Sequence, residues 1–187
     1  FLTPTALKRM ASIDAPRTEW PDLALRAIGT GGEPLPGAVL DWADRTLDVP
    51  INEFYGLTEV NHLIGNCRAL YPIKPGSMGR AYPGHTVAIV DENGAPLPDG
   101  EDGEIVVLNT DPTLFLGYWN QPDRTASMMV GDWVRTGDFG YRDTDGYFWY
   151  RGRNDDLIKS AGYRIGPAEV EDALVRHEAV AQASVIG

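Results

Sequence analysis

The feature that most constrains the fold is a change in hydrophobic patterning close to residue 60. Before it, an apolar run in LALRAIGTGGEPLP ends in a glycine turn, and GAVLDWADRTL places Val39, Ala43 and Leu47 at helical spacing. A second apolar run, VPINEFYG, follows. This order predicts a strand, a helix and a strand, the unit of a parallel sheet with a crossover helix. A further helix is expected over residues 5–13.

After residue 60 the apolar runs become short and alternate with turn-forming sequences. HTVAIV, GEIVVL and YFWYRG are typical of strands, and ENG, PDGEDG and TDG are typical of the turns between them. We predict an antiparallel or barrel-like region here. From about residue 154, DLIKSAGYRI is typical of a two-stranded element, GPAEVEDALVRHEAV of a helix and AQASVIG of a returning strand.

The predicted fold class is therefore mixed α/β (α+β). The end of a parallel α/β subdomain is followed by a distorted antiparallel β-barrel-like subdomain and by the start of a small α+β domain. Residues 1–153 would form the C-terminal portion of a large domain, with an α/β part at 1–60 and a β-rich part at 61–153. Residues 154–187 would begin a small C-terminal domain. The five tryptophans are expected in the core, and both chain ends have the pattern of a piece cut from a longer protein.

Composition argues against several functions. The 187 residues carry a formal charge of −11, and no basic stripe offsets it, which argues against binding nucleic acid or an anionic membrane surface. No apolar stretch approaches the ~18 residues of a membrane span, and the N-terminus lacks the pattern of a secretion signal. The single cysteine, Cys67, excludes an internal disulfide framework and fits a reducing compartment. These features predict a cytoplasmic protein.

Two stretches could hold a phosphate-bearing ligand. GTGGEPLP is a glycine-rich turn whose backbone N–H groups could face an anion, although a tight turn alone is the simpler interpretation. NEFYGLTEV places the hydroxyl of Thr58 beside the carboxylate of Glu59 at a strand end. That pair suits Mg²⁺ bridging to phosphate, because a hard cation takes oxygen ligands. The alternative is a capping threonine and a solvated glutamate.

A third stretch carries Asp138 on a short turn and Arg153 downstream. A carboxylate can accept hydrogen bonds from the two vicinal hydroxyls of a ribose, and an arginine offers a planar fork to hydroxyls or phosphate. The alternative is a surface ion pair within a hairpin. DTDG lacks the ligand series of a calcium loop and is interpreted as a hairpin turn.

Taken together and in order, five segments resemble the adenylate-forming (AMP-binding) superfamily: GGEPL, NEFYGLTEV, GEIVV, LGYW and WVRTGDFGYRDTDGYFWYRGRNDDLIKSAGYRIGPAEVE. The resemblance spans nearly the whole chain, and DLIKSAGYRIGPAEVE is similar to acetyl- and medium-chain acyl-CoA synthetases. It implies a Mg²⁺-dependent ligase of fatty acid metabolism. Such an enzyme joins a small carboxylic acid to AMP from ATP, releases pyrophosphate and transfers the acyl group to coenzyme A.

The resemblance also implies roles for single residues. Thr58 would contact the α-phosphate, and Glu59 would hold Mg²⁺, both as catalytic residues. Asp138 would bind the ribose with Arg153 beside it, and Asp155 would be an interdomain hinge. The other cofactor-binding residues would be Gly32, Glu33 and Pro34 on one side of the adenine, Asn52, Phe54, Tyr55 and Gly56 on the other, and Gly162, Tyr163 and Arg164 in the loop that meets coenzyme A.

The family's phosphate-binding loop would lie before residue 1 and its catalytic lysine beyond residue 187. Lys159 does not replace that lysine, because it occupies the start of the mobile loop. We therefore expect the chain alone to lack activity. Two alternatives stay open: an adenylation domain that loads a carrier protein, and a non-catalytic nucleotide-binding module. The acid is not identified by the sequence, and a homo-oligomer is one of the open states.

Overall fold

The computed structural model describes residues 1–153, 158–160, 163–175, 177, 179–180 and 183–186. In these residues the helices are α1 (Pro4–Met10), α2 (Pro16–Glu19), α3 (Gly37–Thr46), α4 (Pro122–Ser127) and α5 (Pro167–Val175). The strands are β1 (Ile28–Gly31), β2 (Ile51–Leu57), β3 (Asn61–Gly65), β4 (Arg80–Ala81), β5 (Val87–Val90), β6 (Gly103–Leu108), β7 (Met129–Val130), β8 (Trp133–Arg142), β9 (Phe148–Arg153), β10 (Ile158–Ser160) and β11 (Tyr163–Ile165).

The first sheet has the strand order β1-β2-β3-β4. β1 and β2 are parallel, with Ile28 opposite Ile51 and Gly31 opposite Phe54, and α3 makes the connection between them. This confirms the predicted strand–helix–strand unit, although the first strand covers only four residues and α1 ends three residues before the predicted boundary. β3 and β4 extend the same sheet in antiparallel fashion.

One apolar cluster packs α1 and α3 against this sheet. α3 buries Val39, Trp42 and Ala43, which lie three or four residues apart and so share one helix face. Removing a side chain such as that of Val39 from water stabilises the fold by roughly 1.5–3 kcal/mol. The cluster consists of Leu7, Ile28, Leu35, Val39, Trp42, Ala43, Leu47, Val49 and Ile51.

The second sheet is antiparallel and curled, with the order β5-β6-β8-β7 and with β9 also paired to β8. The long strand β8 therefore carries partners on both edges. Gly140 of β8 sits at a register shift, where a Cβ would lie 2.1 Å from the carbonyl oxygen of Trp149. The predicted antiparallel, barrel-like region is confirmed.

A second apolar cluster fills the space between the two sheets. Main-chain hydrogen bonds also link the segment before β4 to β9. The Met78 amide donates to the Phe148 carbonyl (2.9 Å), and the Phe148 amide donates to the Gly79 carbonyl (2.8 Å). The sheets therefore hold fixed positions, and residues of β2 and β8 can meet. The cluster consists of Val60, Leu63, Ile64, Met78, Val87, Ile89, Ile105, Val107, Val134 and Phe148.

The C-terminal pattern was predicted correctly in part, because the predicted helix, expected to reach residue 180, ends at Val175 and the last strand is not seen in residues 183–186. β10 and β11 form the expected antiparallel pair, and α5 begins at Pro167. The described residues 183–186 of AQASVIG lie outside any strand. Here the amide of Val185 donates to the carboxylate of Glu171 at 2.9 Å instead of to a neighbouring strand.

The prediction that all five tryptophans lie in the core was wrong. Trp42 is buried, but Trp20 is 51% and Trp119 is 88% exposed. Trp20 directly follows α2, Trp119 lies between β6 and α4, and neither belongs to an apolar cluster. The DTDG hairpin turn is confirmed, because Asp143 accepts the amides of Asp145 (3.0 Å) and Tyr147 (2.9 Å). Among the described helices, none is both long and apolar enough to cross a bilayer.

Candidate functional site

Thr58 and Glu59 lie at the tip of the hairpin that joins β2 to β3. Leu57 pairs with Asn61 across it, and Asn61 has a φ of 62°, the left-handed conformation that closes a three-residue hairpin loop. Thr58 is exposed and Glu59 half-buried. The Oε1 atom of Glu59 accepts a hydrogen bond from the hydroxyl of Tyr118 at 2.6 Å. The hairpin therefore presents one hydroxyl and one oriented carboxylate side by side.

Asp138 and Arg153 face one another across β8 and β9. They are direct partners in the strand register, and the guanidinium Nε lies 3.8 Å from Oδ1. The Asp138 side chain is 14% exposed and that of Arg153 is 63% exposed. The other carboxylate oxygen, Oδ2, accepts a hydrogen bond from the hydroxyl of Tyr55 at 2.7 Å. The two sheets thus meet at Asp138.

The electrostatics of this pair follow from burial. Burial raises the pKa of Asp138, while hydrogen bonds from Tyr55 and Tyr150 and the charge of Arg153 oppose that rise. The pKa of Tyr55 is raised well above its ordinary value by burial and by the neighbouring carboxylate. The Tyr55 phenol therefore stays protonated and donates to Oδ2 of Asp138, while the Arg153 guanidinium lies beside Oδ1.

The Thr58–Glu59 pair and the Asp138–Arg153 pair line one cavity of about 610 Å³. Four residues predicted from the sequence are brought together in its wall: Thr58, Glu59, Asp138 and Arg153. Sequence reasoning missed the remaining polar residues of the wall, which are Glu104, Tyr118, Arg124, Ser127, Arg135 and Thr136. Tyr118 lies in LGYW, one of the segments that carry the family resemblance, but the resemblance implied no role for it.

The missed charges are mostly neutralised in pairs. Glu104 is buried, forms an ion pair with Arg135 and accepts the amide of Gly137 at 3.2 Å. The guanidinium of Arg124 instead lies 4.1 Å from the centre of the Tyr118 ring. The hydrogen bond to Glu59 raises the pKa of Tyr118. The cavity wall carries three carboxylates and three guanidinium groups. Arg135 forms an ion pair with Glu104, and Arg153 lies beside Asp138.

The glycine turn after β1 lies outside this cavity wall. Gly32, Glu33 and Pro34 are exposed, and Gly32 has a φ of +94° with open space where a Cβ would stand. That conformation favours glycine. Glu33 accepts a hydrogen bond from the hydroxyl of Thr5 at 2.7 Å.

The predicted wall of Asn52, Phe54, Tyr55 and Gly56 is divided by the pleat of β2. Alternation along a strand places Asn52 and Phe54 on the face opposite Tyr55. Asn52 accepts the amide of Arg68 at 3.1 Å, and the Phe54 ring lies 4.0 Å from the ring of His62. Of these side chains, only Tyr55 reaches towards Asp138.

The predicted mobile residues are described in part or not at all. Asp155 and Gly162 lie outside the described residues. The backbones of Tyr163 and Arg164 lie in β11, and that of Lys159 lies in β10 opposite Arg164. The hinge and coenzyme A assignments therefore stay predictions, as does the domain boundary at residues 153 and 154.

Comparison with known proteins identifies the family. The sequence profile described as "AMP-binding enzyme" matches residues 1–119. The chain belongs to the AMP-binding enzyme family. This confirms the resemblance drawn from the five segments.

Two curated relatives and one solved structure show how far the similarity extends. The chain is 42% identical over 185 residues to an uncharacterised acyl-CoA ligase, YtcI, of Bacillus subtilis (strain 168), covering 98% of this chain and 34% of that protein. It is 44% identical over 188 residues to the human mitochondrial acyl-coenzyme A synthetase ACSM4, covering 98% and 32%. The crystal structure of the anthranilate CoA ligase AuaEII in complex with anthranoyl-AMP superposes with a TM-score of 0.87 at 32% identity, covering 100% and 35%. The chain spans about a third of the length of the proteins that it matches.

A further titratable group of this AMP-binding chain lies beside the glycine turn. Glu53 accepts the amide of Leu35 at 3.3 Å and pairs in the sheet with Thr30. Burial raises the pKa of Glu53 to about 7, although the Leu35 amide opposes the rise. The hydroxyl of Thr30 is buried and, among the described residues, has no hydrogen-bond partner. Sequence reasoning gave Glu53 no role because its burial depends on the loop that packs over it.

We expect Glu53→Gln to remove a pH-dependent loss of stability. Its carboxyl has an ordinary pKa of 4.5 and a folded pKa of about 7. Between these values the folded chain holds a proton that the unfolded chain releases, so stability should fall as pH rises, by up to about 1.4 kcal/mol per pH unit. Urea unfolding from pH 4 to 8 should show that the free energy of unfolding of the variant rises relative to that of the wild type through this window. The control is Glu101→Gln, at an exposed position, whose free energy of unfolding should change with pH as that of the wild type does. The same behaviour in Glu53→Gln would contradict the raised pKa of Glu53.

Proposed function

We propose that this chain forms the nucleotide-binding part of an ATP-dependent acyl-CoA synthetase. In the first half-reaction a carboxylate oxygen of the acid attacks the α-phosphorus of ATP, and the bond to pyrophosphate breaks. In the second, the thiol sulfur of coenzyme A attacks the acyl carbon, AMP leaves and the thiol proton is released. The names of the relatives and the anthranoyl-AMP bound to a solved relative support this proposal.

The observation that carries the proposal is the convergence at the 610 Å³ cavity. Thr58 and Glu59 reach it from the β2–β3 hairpin, and Asp138 and Arg153 reach it from a different sheet, about 80 residues later. A hydroxyl–carboxylate pair suits a metal-bound phosphate, and a carboxylate beside an arginine suits ribose hydroxyls. Their placement along one cavity matches the two ends of a nucleoside phosphate. Accordingly, Thr58 would contact the α-phosphate, and Asp138 and Arg153 would contact the ribose.

Mg²⁺ fits this site as a metal shared with the substrate. The described residues contain no group of three or more histidine, cysteine or acidic side chains that could hold an ion alone. Glu59 offers one carboxylate beside the Thr58 hydroxyl, and Mg²⁺ characteristically takes one or two carboxylates together with substrate phosphates and waters. Bound there, the ion would neutralise phosphate charge as pyrophosphate leaves. Glu59 would thus be its protein ligand.

The adenine would lie between the glycine turn and the ring of Tyr55. Gly32, Glu33 and Pro34 present open backbone at the end of β1, and Tyr55 stands on the face of β2 that leads to Asp138. Asn52, Phe54 and Gly56 would support this wall from behind. Asp155 would act as the hinge, and Gly162, Tyr163 and Arg164 would meet coenzyme A after a rotation of residues 154–187.

The compartment, the acid and the assembly are further parts of the proposal. The single cysteine supports a cytoplasmic location, whereas the name of the ACSM4 relative places that protein in mitochondria. Imaging the tagged full-length protein separates the two. The acid would be one of fatty acid metabolism, and size-exclusion chromatography with light scattering would show whether a homo-oligomer forms.

The test is ATP–pyrophosphate exchange by the full-length protein with a panel of fatty and aromatic acids. We expect Mg²⁺-dependent exchange with at least one acid and a thioester once coenzyme A is added. Titration calorimetry of the 187-residue chain with AMP tests binding separately. Exchange without thioester formation would favour a carrier protein as the acceptor. Absence of exchange with every acid, together with AMP binding, would favour a non-catalytic nucleotide module.

A further inference from the structure

One loop contacts Glu59 at both its main chain and its side chain. The amide of Phe115 donates to the Glu59 carbonyl at 2.7 Å, and the hydroxyl of Tyr118 donates to Oε1 at 2.6 Å. Two hydrogen bonds from one loop therefore hold Glu59, one at its main chain and one at its side chain. Oε2 of Glu59 is not used by either bond.

The same loop is anchored to the next residue of the hairpin. The hydroxyl of Thr113 lies 2.7 Å from the carbonyl oxygen of Val60 and 2.7 Å from Oδ1 of Asp111. Asp111 also accepts the Thr113 amide at 2.9 Å and lies 2.7 Å from Nδ1 of His85. The Asp111 side chain is 1% exposed. Loop and hairpin are therefore held together by buried polar contacts as well as by packing.

The ring of Tyr118 is itself held on several sides. The guanidinium of Arg124 lies 4.1 Å from its centre, and the Phe115 ring meets it edge-on at 4.9 Å. The Tyr118 amide donates to the hydroxyl of Thr125 at 2.9 Å. A ring fixed in this way presents its hydroxyl at one place, so the phenol loses little freedom in bonding to Glu59.

We propose that Tyr118 is a positioning residue that fixes the Glu59 carboxylate so that Oε2 faces the cavity. The inference rests on the proposed role of Glu59 as the Mg²⁺ ligand. A glutamate at a hairpin tip otherwise samples several rotamers, and each metal-binding event must select one of them. The hydrogen bond from Tyr118 holds Glu59 in one rotamer before the metal binds. In this role it acts through Glu59.

The first test measures the Mg²⁺ dependence of pyrophosphate exchange in full-length Tyr118→Phe. The concentration of free Mg²⁺ at half-maximal rate should rise about tenfold, which corresponds to about 1.4 kcal/mol. The rate at saturating Mg²⁺ and the KM for the acid should stay within about twofold. The matched control is Tyr71→Phe, which also loses one phenol hydrogen bond, to the Gly65 carbonyl, but lies outside the cavity wall. Its Mg²⁺ curve should equal that of the wild type.

The second test needs no turnover. In the 187-residue chain labelled with 3-fluorotyrosine, the ¹⁹F resonance lost in Tyr118→Phe belongs to Tyr118. Its chemical shift should move in Glu59→Gln, because that substitution replaces the carboxylate that accepts the Tyr118 hydrogen bond at 2.6 Å. An unchanged chemical shift, or an unchanged Mg²⁺ curve for Tyr118→Phe, would overturn the inference. Absence of exchange in the wild type would instead overturn the proposed function, and the inference with it.

Discussion

Asp138→Ala is expected to weaken the binding of AMP to the 187-residue chain about 10- to 100-fold. The substitution removes a charged acceptor that lies 3.8 Å from Arg153 and borders the cavity. A hydrogen bond to a charged group contributes roughly 1.5–3 kcal/mol, and each 1.4 kcal/mol is a factor of ten in affinity. Titration calorimetry at constant pH and salt measures the change. In the full-length protein, the proposed pyrophosphate exchange should fall in the same variant.

Two further variants separate the proposed contact of Asp138 with the ribose from its hydrogen bond to Tyr55, which links the two sheets. Asp138→Ala also leaves the Tyr55 hydroxyl without its carboxylate acceptor, and an unsatisfied buried group costs about 1–3 kcal/mol of stability. Tyr55→Phe keeps the carboxylate, so it should retain most of the affinity. Asp99→Ala removes a carboxylate that pairs with Arg142 outside the cavity wall and should bind AMP as the wild type does. Equal affinity in Asp138→Ala and Asp99→Ala would show that the ribose assignment is wrong.

The parts of the fold predictable from the sequence were those governed by local periodicity. The 3.6-residue spacing of Val39 and Ala43 defined α3, and the run before Tyr55 defined β2. The strand predicted at the C-terminus was wrong for the described residues 183–186, because a strand needs a partner that local sequence does not specify. In the described residues, Val185 bonds to Glu171 of α5 instead.

The candidate site shows the same division between local and long-range information. Thr58, Glu59, Asp138 and Arg153 were found because each lies in a segment with a recognisable pattern, and the cavity unites them. Tyr118 and Arg124 were missed because they lie in an irregular loop and at the start of a short helix, where no period marks a buried face. The Tyr55–Asp138 hydrogen bond joins residues 83 positions apart. Such a contact depends on how two sheets pack, which no spacing within either segment encodes.

Gly56→Ala is expected to destabilise the chain by roughly 3 kcal/mol and to weaken AMP binding with it. Gly56 lies at the register shift between β2 and β3, where a Cβ would lie 1.8 Å from the carbonyl oxygen of Asn61. A contact of that length forces the two strands apart, and overpacking of this kind typically costs 1–3 kcal/mol, occasionally more. The hairpin tip that carries Thr58 and Glu59 would move as well. Urea unfolding measures the first effect and titration calorimetry the second.

Gly29→Ala is the matched control within the same sheet. A Cβ at Gly29 would lie 3.7 Å from the Phe54 ring, an ordinary van der Waals distance. The control should therefore stay within about 1 kcal/mol of the wild type, because Gly→Ala at a compatible site also reduces the entropy of the unfolded chain. If Gly56→Ala matched this control in both measurements, the close approach of β2 and β3 would not be what holds Thr58 and Glu59 at the cavity. If it lost stability but bound AMP normally, the hairpin would be structural, and the phosphate end of the ligand would have to lie elsewhere.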